Sequence, residues 1–336
     1  MFKTHIKEAA FAVEAVTAAA QLCRQIQHDL VLPAVSKADK SPVTVADFAA
    51  QAVVAQMLNA AFPHMPLVAE EDSALLREPD QSQTLERVQQ YVARLYPRAT
   101  SSQIMDWIDR GSGEPEGSFW TLDPIDGTKG FIRGDQYVVA LALIIDGKVA
   151  VGAMGCPNLD VSMRPDHDGP GSVAIAVRNE AAWAMSMAGG EWSRLKVSDC
   201  DAPDCARMLR SYESSHTDPG KIDQISHELG LKRAPILMDS SAKYGLLAAG
   251  EGELIVRLLS PLHPEYIENL WDHATGALLI EEAGGRITDL QGKKLDFSRG
   301  RKLMGNIGVL TSNGHLHASV LRAIAQVGAN RRPEHE

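Results

Sequence analysis

The chain has 336 residues, 45% hydrophobic and 23% charged, an ordinary globular composition sufficient for one large domain or two closely packed halves. Its net charge of −10 repels a polyanion at long range and excludes a nucleic-acid clamp, but not a small anion held by local cations. No apolar run approaches the roughly 20 residues that span a bilayer, and Lys7, Glu8 and Glu14 interrupt the alanine-rich N-terminus, which excludes a signal peptide. The expectation is a soluble, cytoplasmic protein with no membrane partner.

Residues 4–28 read as an amphipathic helix with Ile6, Val13, Val16 and Cys23 roughly along one face. A polar loop containing Lys37, Asp39, Lys40, Ser41 and Pro42 follows, and Thr44 opens a second helix that runs to about Phe62. Pro66–Ala69 reads as a short strand that delivers Glu70, Glu71 and Asp72 at its end. Residues 82–96 are helical in pattern, whereas Ser101–Gly117 is polar and glycine-containing and reads as a surface excursion. Ser118–Leu122 is a strand running into Asp123-Pro124-Ile125-Asp126-Gly127-Thr128. Tyr137–Ile145 and Lys148–Met154 form a hairpin about Asp146-Gly147. The polar, Gly/Pro-rich stretch 157–171 marks the junction between an N-terminal half, 1–165, and a C-terminal half, 166–336.

In the second half, Ser172–Val177, Ala182–Met187, Pro235–Met238, Glu253–Leu258 and Ile307–Thr311 read as strands. Lys221–Leu229, Ala242–Ala249, Trp271–Glu282 and His315–Val327 read as helices, the third closed by Gly284-Gly285. Alternating helices and strands point to an α/β architecture, and the hairpins exclude a purely parallel sheet, leaving layered helices and mixed sheets. Cys23, Cys156, Cys200 and Cys205 show neither CxxC pairing nor zinc spacing. Cys200 and Cys205 flank a short Pro- and Asp-containing stretch and could pair under oxidation.

Three acidic groups fall at strand or helix ends: Glu70-Glu71-Asp72, Asp123 with Asp126, and Asp272. Hard divalent cations take carboxylate oxygens and retain water for chemistry. Pro124 stiffens the turn after its strand, and Asp123 and Asp126 around that turn can both face one site, with the Ile125 carbonyl as a further ligand. Gly127 allows close approach of the backbone, and the 127–128 amides can meet a phosphate oxygen. Two ions sharing such ligands would clamp an in-line displacement. Taken singly, each group has a plainer explanation: a solvated turn for Glu70-Glu71-Asp72, a helix-cap partner for Asp47, and a helix-start charge for Asp272.

Together, AEED (69–72), LDPIDGTKGF (122–131) and LWDHATGALLIEEAGG (270–285) resemble, in order and spacing, the inositol-monophosphatase superfamily of metal-dependent, lithium-sensitive phosphatases. The strings FWTLDPIDGTKGFIRGDQYVVALALI (119–144) and WDHATG (271–276) resemble its 3′(2′),5′-bisphosphate nucleotidase branch. KSPVTVAD (40–47) and DSSAKYGLLAAGEGELIVRL (239–258) fit the same branch. The resemblance implies a layered α-β-α-β-α sandwich and two or three Mg²⁺ held by Glu70, Asp123, the Ile125 carbonyl, Asp126 and Asp272. Glu71 would sit in support or on a third ion, and Asp47 with Thr128 would orient and deprotonate the attacking water. Gly127 and Thr128 would hold the scissile phosphate, and Ser240, Lys243, Arg257 and His216 the rest of a nucleotide. The implied reaction is hydrolysis of the 3′-phosphate of adenosine 3′,5′-bisphosphate, and by extension its phosphosulfate relative, in sulfur assimilation. An inositol phosphate substrate, or a silent nucleotide-binding sensor, are the alternatives. The partner is a small molecule and the protein a monomer or homodimer. Ala69 departs from the glycine that many relatives carry, and no role attaches to the 106–117 segment.

Overall fold

A computed structural model describes residues 3–31, 41–212 and 217–332. The first helix, α1 (Ile6–Ile26), widens into a π turn at Gln27–Val31, and α2 (Ser41–Ala61) packs beside it. Both helices bury alanine-rich faces, including Ala12, Ala15 and Ala19 on α1 and Ala46, Ala49 and Ala52 on α2, so they approach one another and the sheet beneath closely.

That sheet has seven strands in chain order: β1 (Leu67–Ala69), β2 (Ser118–Asp126), β3 (Val138–Ile145), β4 (Lys148–Cys156), β5 (Ser172–Val177), β6 (Ala181–Ser186) and β7 (Ser193–Arg194). β1 is parallel to β2 and the remaining pairs are antiparallel. The polar stretch 157–171 is the connection between paired strands β4 and β5, and the chain leaves this sheet only after β7. Between β1 and β2 lie α3 (Ser82–Val92) and α4 (Ser101–Asp109), and α5 (Thr128–Arg133) follows β2 directly.

The second sheet is built from β8 (Met208–Arg210), β9 (Ile236–Leu237), β10 (Leu254–Arg257), β11 (Arg286–Thr288) and β12 (Val309–Ser312), in the order β11-β12-β10-β8-β9. Interspersed are α6 (Pro219–Leu229), α7 (Ala242–Ala248), α8 (Ala274–Glu282) and α9 (His317–Gln326). Side-chain alternation assembles the layers. On β3, Val139, Leu141 and Leu143 face the α1/α2 core, while Val138, Ala140 and Ala142 share a second core with Leu278, Leu279 and Ile280 of α8. On β10, Ile255 joins that second core, whereas Leu254 and Val256 join a third with Ile222 of α6 and Val320 of α9. The result is the layered α-β-α-β-α sandwich expected from the family resemblance. Strands buried on both faces are apolar throughout, which explains why they were legible.

The 101–117 segment corrects the expectation of a surface excursion. Thr100 and Gln103 form a capping box, and Ile104 and Ile108, four apart, bury one face of α4. Beyond it the chain lies along the free edge of β1: Ala69 N–H donates to Gly111 O at 2.8 Å, and Gly113 N–H to Leu67 O at 2.9 Å. Asp109 accepts from Ser73 N–H and Ser73 Oγ, both at 2.8 Å, and from Arg77 at 2.7 Å. This segment therefore brackets the acidic Glu70–Asp72 turn from both sides. Cys200 and Cys205, six ångströms apart at Cα in a turn before β8, are joined by a disulfide, while Cys23 and Cys156 are free and buried.

A Cβ at Gly113 would meet Leu67 O at 2.6 Å and Leu67 N at 3.0 Å, backbone that cannot turn aside. Gly113→Ala is expected to lower unfolding free energy by about 1–3 kcal/mol, the usual cost of overpacking. Urea denaturation checks this, and an unchanged midpoint would contradict the close approach.

Candidate active site

Asp123 and Asp126 are an odd number of residues apart, so a regular strand would send them to opposite faces. The pairing of β2 with β3 shifts register between these two residues, and that irregularity at Pro124-Ile125 lets both aspartates line one cavity. Ala69 pairs with Leu122 across the parallel β1–β2 ladder, so Glu70 emerges beside Asp123. Asp272 completes the group from the turn before α8. Arg301 stacks over the Trp271 ring at 5.0 Å and donates to Ala69 O and Gly111 O, tying the Asp272 turn to the Glu70 turn. Gln51 of α2, fully buried, holds the backbone of Glu71 by its N–H at 3.1 Å and its carbonyl at 2.5 Å, and reaches Ile108 O at 2.8 Å.

The four carboxylates line one cavity of about 500 Å³. Burial, then repulsion from Glu71 and Asp126, pushes Glu70 up to about 7, although cavity solvent still reaches its side chain. Burial pushes Asp272 up to about 7, against the pull of Arg257. Burial, then Glu70, Asp126 and Asp272, holds Asp123 well above the usual carboxylate range. Asp123 Oδ1 is buried with no hydrogen-bond partner among the described residues. Crowded carboxylates with an orphaned oxygen are the donor set that a hard divalent cation satisfies. The residues present therefore fit a metal centre.

Asp47 is buried on α2 and does not line the cavity, yet burial and the charges of Glu71 and Glu70 raise its pKa strongly. Thr128 is exposed at the cavity wall as the first residue of α5, and α2 and α5 pack together. Ile125 and Gly127 also line the wall, whereas Glu71 lies off it. Gly127 has φ 100°, and a Cβ there would meet Ser240 Cβ at 2.7 Å, so a side chain would push the two halves of the cavity apart.

The same cavity is also lined by cations. Ser240, itself at φ 66°, and Lys243 and Arg257 all line the cavity; His216 lies outside the described residues. The Lys243 ammonium donates to Ser240 O at 2.8 Å, Met238 O at 3.0 Å and Ser211 Oγ at 3.2 Å. Its three donors are thus engaged, so it offers a ligand a charge more than a hydrogen bond. Burial lowers it to about 8. The residues after β2 are tied to the 239–241 turn through Asp126 Oδ2, which accepts from Ser241 N–H at 2.6 Å, and through the Arg133–Asp239 ion pair.

Several contributors escaped the sequence reading: Gln51, Arg301, Ser241, Tyr244, Tyr266 and Glu268. The His273 in WDHATG is not a surface residue but is buried, with Nε2 at 3.0 Å from Glu268 and Nδ1 at 2.8 Å from Tyr244 OH. Ligand atoms of Glu268, Asp272 and His273 lie within 4.8 Å of one another, close enough for an ion. Glu268, however, already engages Arg257 and His273, so the unsatisfied donor set is the cluster around Asp123.

A carboxyl whose pKa is raised by folding stabilises the fold below its ordinary value and loses that contribution as pH rises through its folded value. For Glu70 and Asp272 the window runs from ordinary values of 4.5 and 3.8 up to about 7. Mg²⁺, which binds the ionised forms, is expected to raise Tm more at about pH 8 than at about pH 5.5. The Mg²⁺ increment is the readout, because His317, held neutral by burial with a pKa of about 4, shifts stability oppositely at acid pH. Differential scanning fluorimetry measures it, and an increment equal at both pH values would contradict the carboxylate cluster as the metal centre.

Residues 4–329 match the inositol monophosphatase family. The chain is 40% identical to a 3′(2′),5′-bisphosphate nucleotidase of Schizosaccharomyces pombe, covering 95% of each chain. It is likewise 40% identical to an Oryza sativa 3′(2′),5′-bisphosphate nucleotidase, over 94% of this chain and 93% of that one. Among solved structures, an inositol monophosphatase from Zymomonas mobilis superposes with a TM-score of 0.64 at 19% identity, over 96% of this chain and all of that one (100%). Mycobacterium tuberculosis SuhB superposes with a TM-score of 0.62, also at 19% identity, covering 96% and 98%. Among the described residues, no helix is long and apolar enough to cross a membrane.

Proposed function

The chain belongs to the inositol monophosphatase family, and from that premise we propose that it is a Mg²⁺-dependent 3′(2′),5′-bisphosphate nucleotidase that converts adenosine 3′,5′-bisphosphate to AMP and phosphate. The observation that carries this reading is the lining of one cavity. Glu70, Asp123, Asp126 and Asp272 line it, Lys243 and Arg257 line it with them, and Leu209, Ile222, Leu237 and Ile255 add apolar surface from the second sheet and α6. A metal-assisted phosphatase needs the first, a second phosphate the next, and a flat base the last. The full-length identity to proteins named for this activity supports the same substrate.

When bound by Glu70, Asp123, the Ile125 carbonyl, Asp126 and Asp272, two or three Mg²⁺ neutralise phosphoryl charge and lower the pKa of water. The protein supplies position. Gly127 and Thr128 hold the scissile phosphate at the start of α5. Asp47 and Thr128 orient the attacking water, Asp47 accepting through the Thr128 hydroxyl the proton that the water releases. The water oxygen bonds to phosphorus as the P–O3′ bond breaks, and the leaving O3′ takes a proton from solvent while the proton held on Asp47 returns to solvent. Arg257 takes the second phosphate through guanidinium N–H groups, with the Lys243 charge behind it. Catalysis in this scheme is mainly alignment and charge neutralisation. Lithium sensitivity, cytoplasmic placement and a role in removing a sulfur-assimilation by-product belong to the same proposal.

Phosphate release with Mg²⁺ tests it, using adenosine 3′,5′-bisphosphate beside inositol 1-phosphate and inositol 1,4-bisphosphate, each with and without Li⁺. Li⁺-sensitive release from the nucleotide, lowered by about 100-fold or more in Asp123→Asn, is expected, since losing a ligand exceeds the cost of losing its outer partners. Release chiefly from an inositol phosphate would reassign the cationic lining. No Asp123-dependent release from any substrate would favour a silent binding protein.

A further inference from the structure

Arg257 is the last residue of β10 and its side chain is 31% exposed, while its partner Glu268 is 4% exposed. Glu268 divides its two oxygens between two donors. Oε1 accepts from Arg257 Nε at 2.8 Å, and Oε2 faces His273 Nε2 at 3.0 Å. His273 Nδ1 in turn meets Tyr244 OH at 2.8 Å, and His273 is the N-cap position of α8, next to Asp272. A single buried carboxylate thus touches the cavity cation on one side and the base of the helix behind Asp272 on the other. We infer that Glu268 is the positioning residue that gives the site its preference for a substrate with a second phosphate, by fixing the plane of the Arg257 guanidinium at the cavity wall.

The physical argument has three parts. A free arginine side chain carries about 2 kcal/mol of rotamer entropy, which a ligand would otherwise have to remove on binding. Pinning Nε fixes the guanidinium, whose central carbon lies 6.0 Å from the Tyr266 ring centroid, and leaves the terminal nitrogens for a bidentate contact with phosphate. Glu268 stays charged despite its burial, because Arg257 and His273 outweigh desolvation and hold it down at about 2. An isolated buried carboxylate could not do this.

This inference rests on the nucleotide reading of the cavity. Its test uses the Mg²⁺-loaded full chain with adenosine 3′,5′-bisphosphate and with adenosine 3′-monophosphate, which lacks the second phosphate. Glu268→Gln is expected to raise KM for the bisphosphate about tenfold, the cost of one charge-assisted hydrogen bond. Its kcat, and its KM for the monophosphate, should stay within about threefold. Arg257→Ala should show the same loss of preference, and adding Glu268→Gln to it should change KM by less than about twofold. Glu268→Asp, which keeps the charge, should recover part of the preference and serves if the glutamine variant does not fold. Equal losses on both substrates, or a full Glu268→Gln effect in the Arg257→Ala background, would overturn the inference alone. A wild-type enzyme indifferent to the second phosphate would overturn the nucleotide reading and this inference with it.

Discussion

Four carboxylates that line one cavity repel one another, and the fold is organised around holding them together against that repulsion. Burial and like charge drive Glu70 and Asp272 up to about 7 and hold Asp123 well above the usual carboxylate range, a cost that a divalent cation offsets. The cluster can be tolerated because rigid elements supply each member from outside it. A β1–β2 parallel ladder brings Glu70 level with Asp123. A register shift in β2 turns Asp126 to the same side. Arg301 bridges the Glu70 and Asp272 turns with its guanidinium and its stacking on Trp271.

The supports hold mainly backbone: a neutral side chain, an arginine, and one carboxylate outside the cluster. Gln51 fixes Glu71 through its amide and carbonyl, leaving the acidic side chains uncommitted. Asp109, on the far side, secures Ser73 and so ends the acidic turn. The segment after α4 adds backbone hydrogen bonds to the open edge of β1, which would otherwise be a three-residue strand paired on one side. Such an arrangement keeps carboxylate lone pairs free for a ligand while the backbone that carries them is immobilised.

The second sheet contributes the opposite polarity. Lys243 and Arg257 enter from α7 and β10, and the Asp126–Ser241 hydrogen bond and the Arg133–Asp239 pair lock that sheet's loops to the first. Lys243 is saturated by protein acceptors, which separates its role from that of Arg257. The one gives field and holds the 238–240 turn; the other has nitrogens to give.

Sequence alone determined the layered class, the positions of the long helices and doubly buried strands, and which acidic residues gather in one cavity. Those features are local: apolar runs such as Val138–Ile145 need no partner to be recognised, and D-P-I-D-G-T carries its turn chemistry within six residues. It did not reveal α4, a helix of only nine residues that opens on two serines and runs into the glycine-containing stretch 111–117, which reads as loop when taken with it. Nor did it reveal Gln51, Arg301 or Glu268, whose partners lie 20, 232 and 11 residues away and are ordinary polar residue types in any linear reading. Tertiary structure decided which charges are neutralised in place and which are left waiting. Burial and distance set that outcome, and neither is written in the order of the residues.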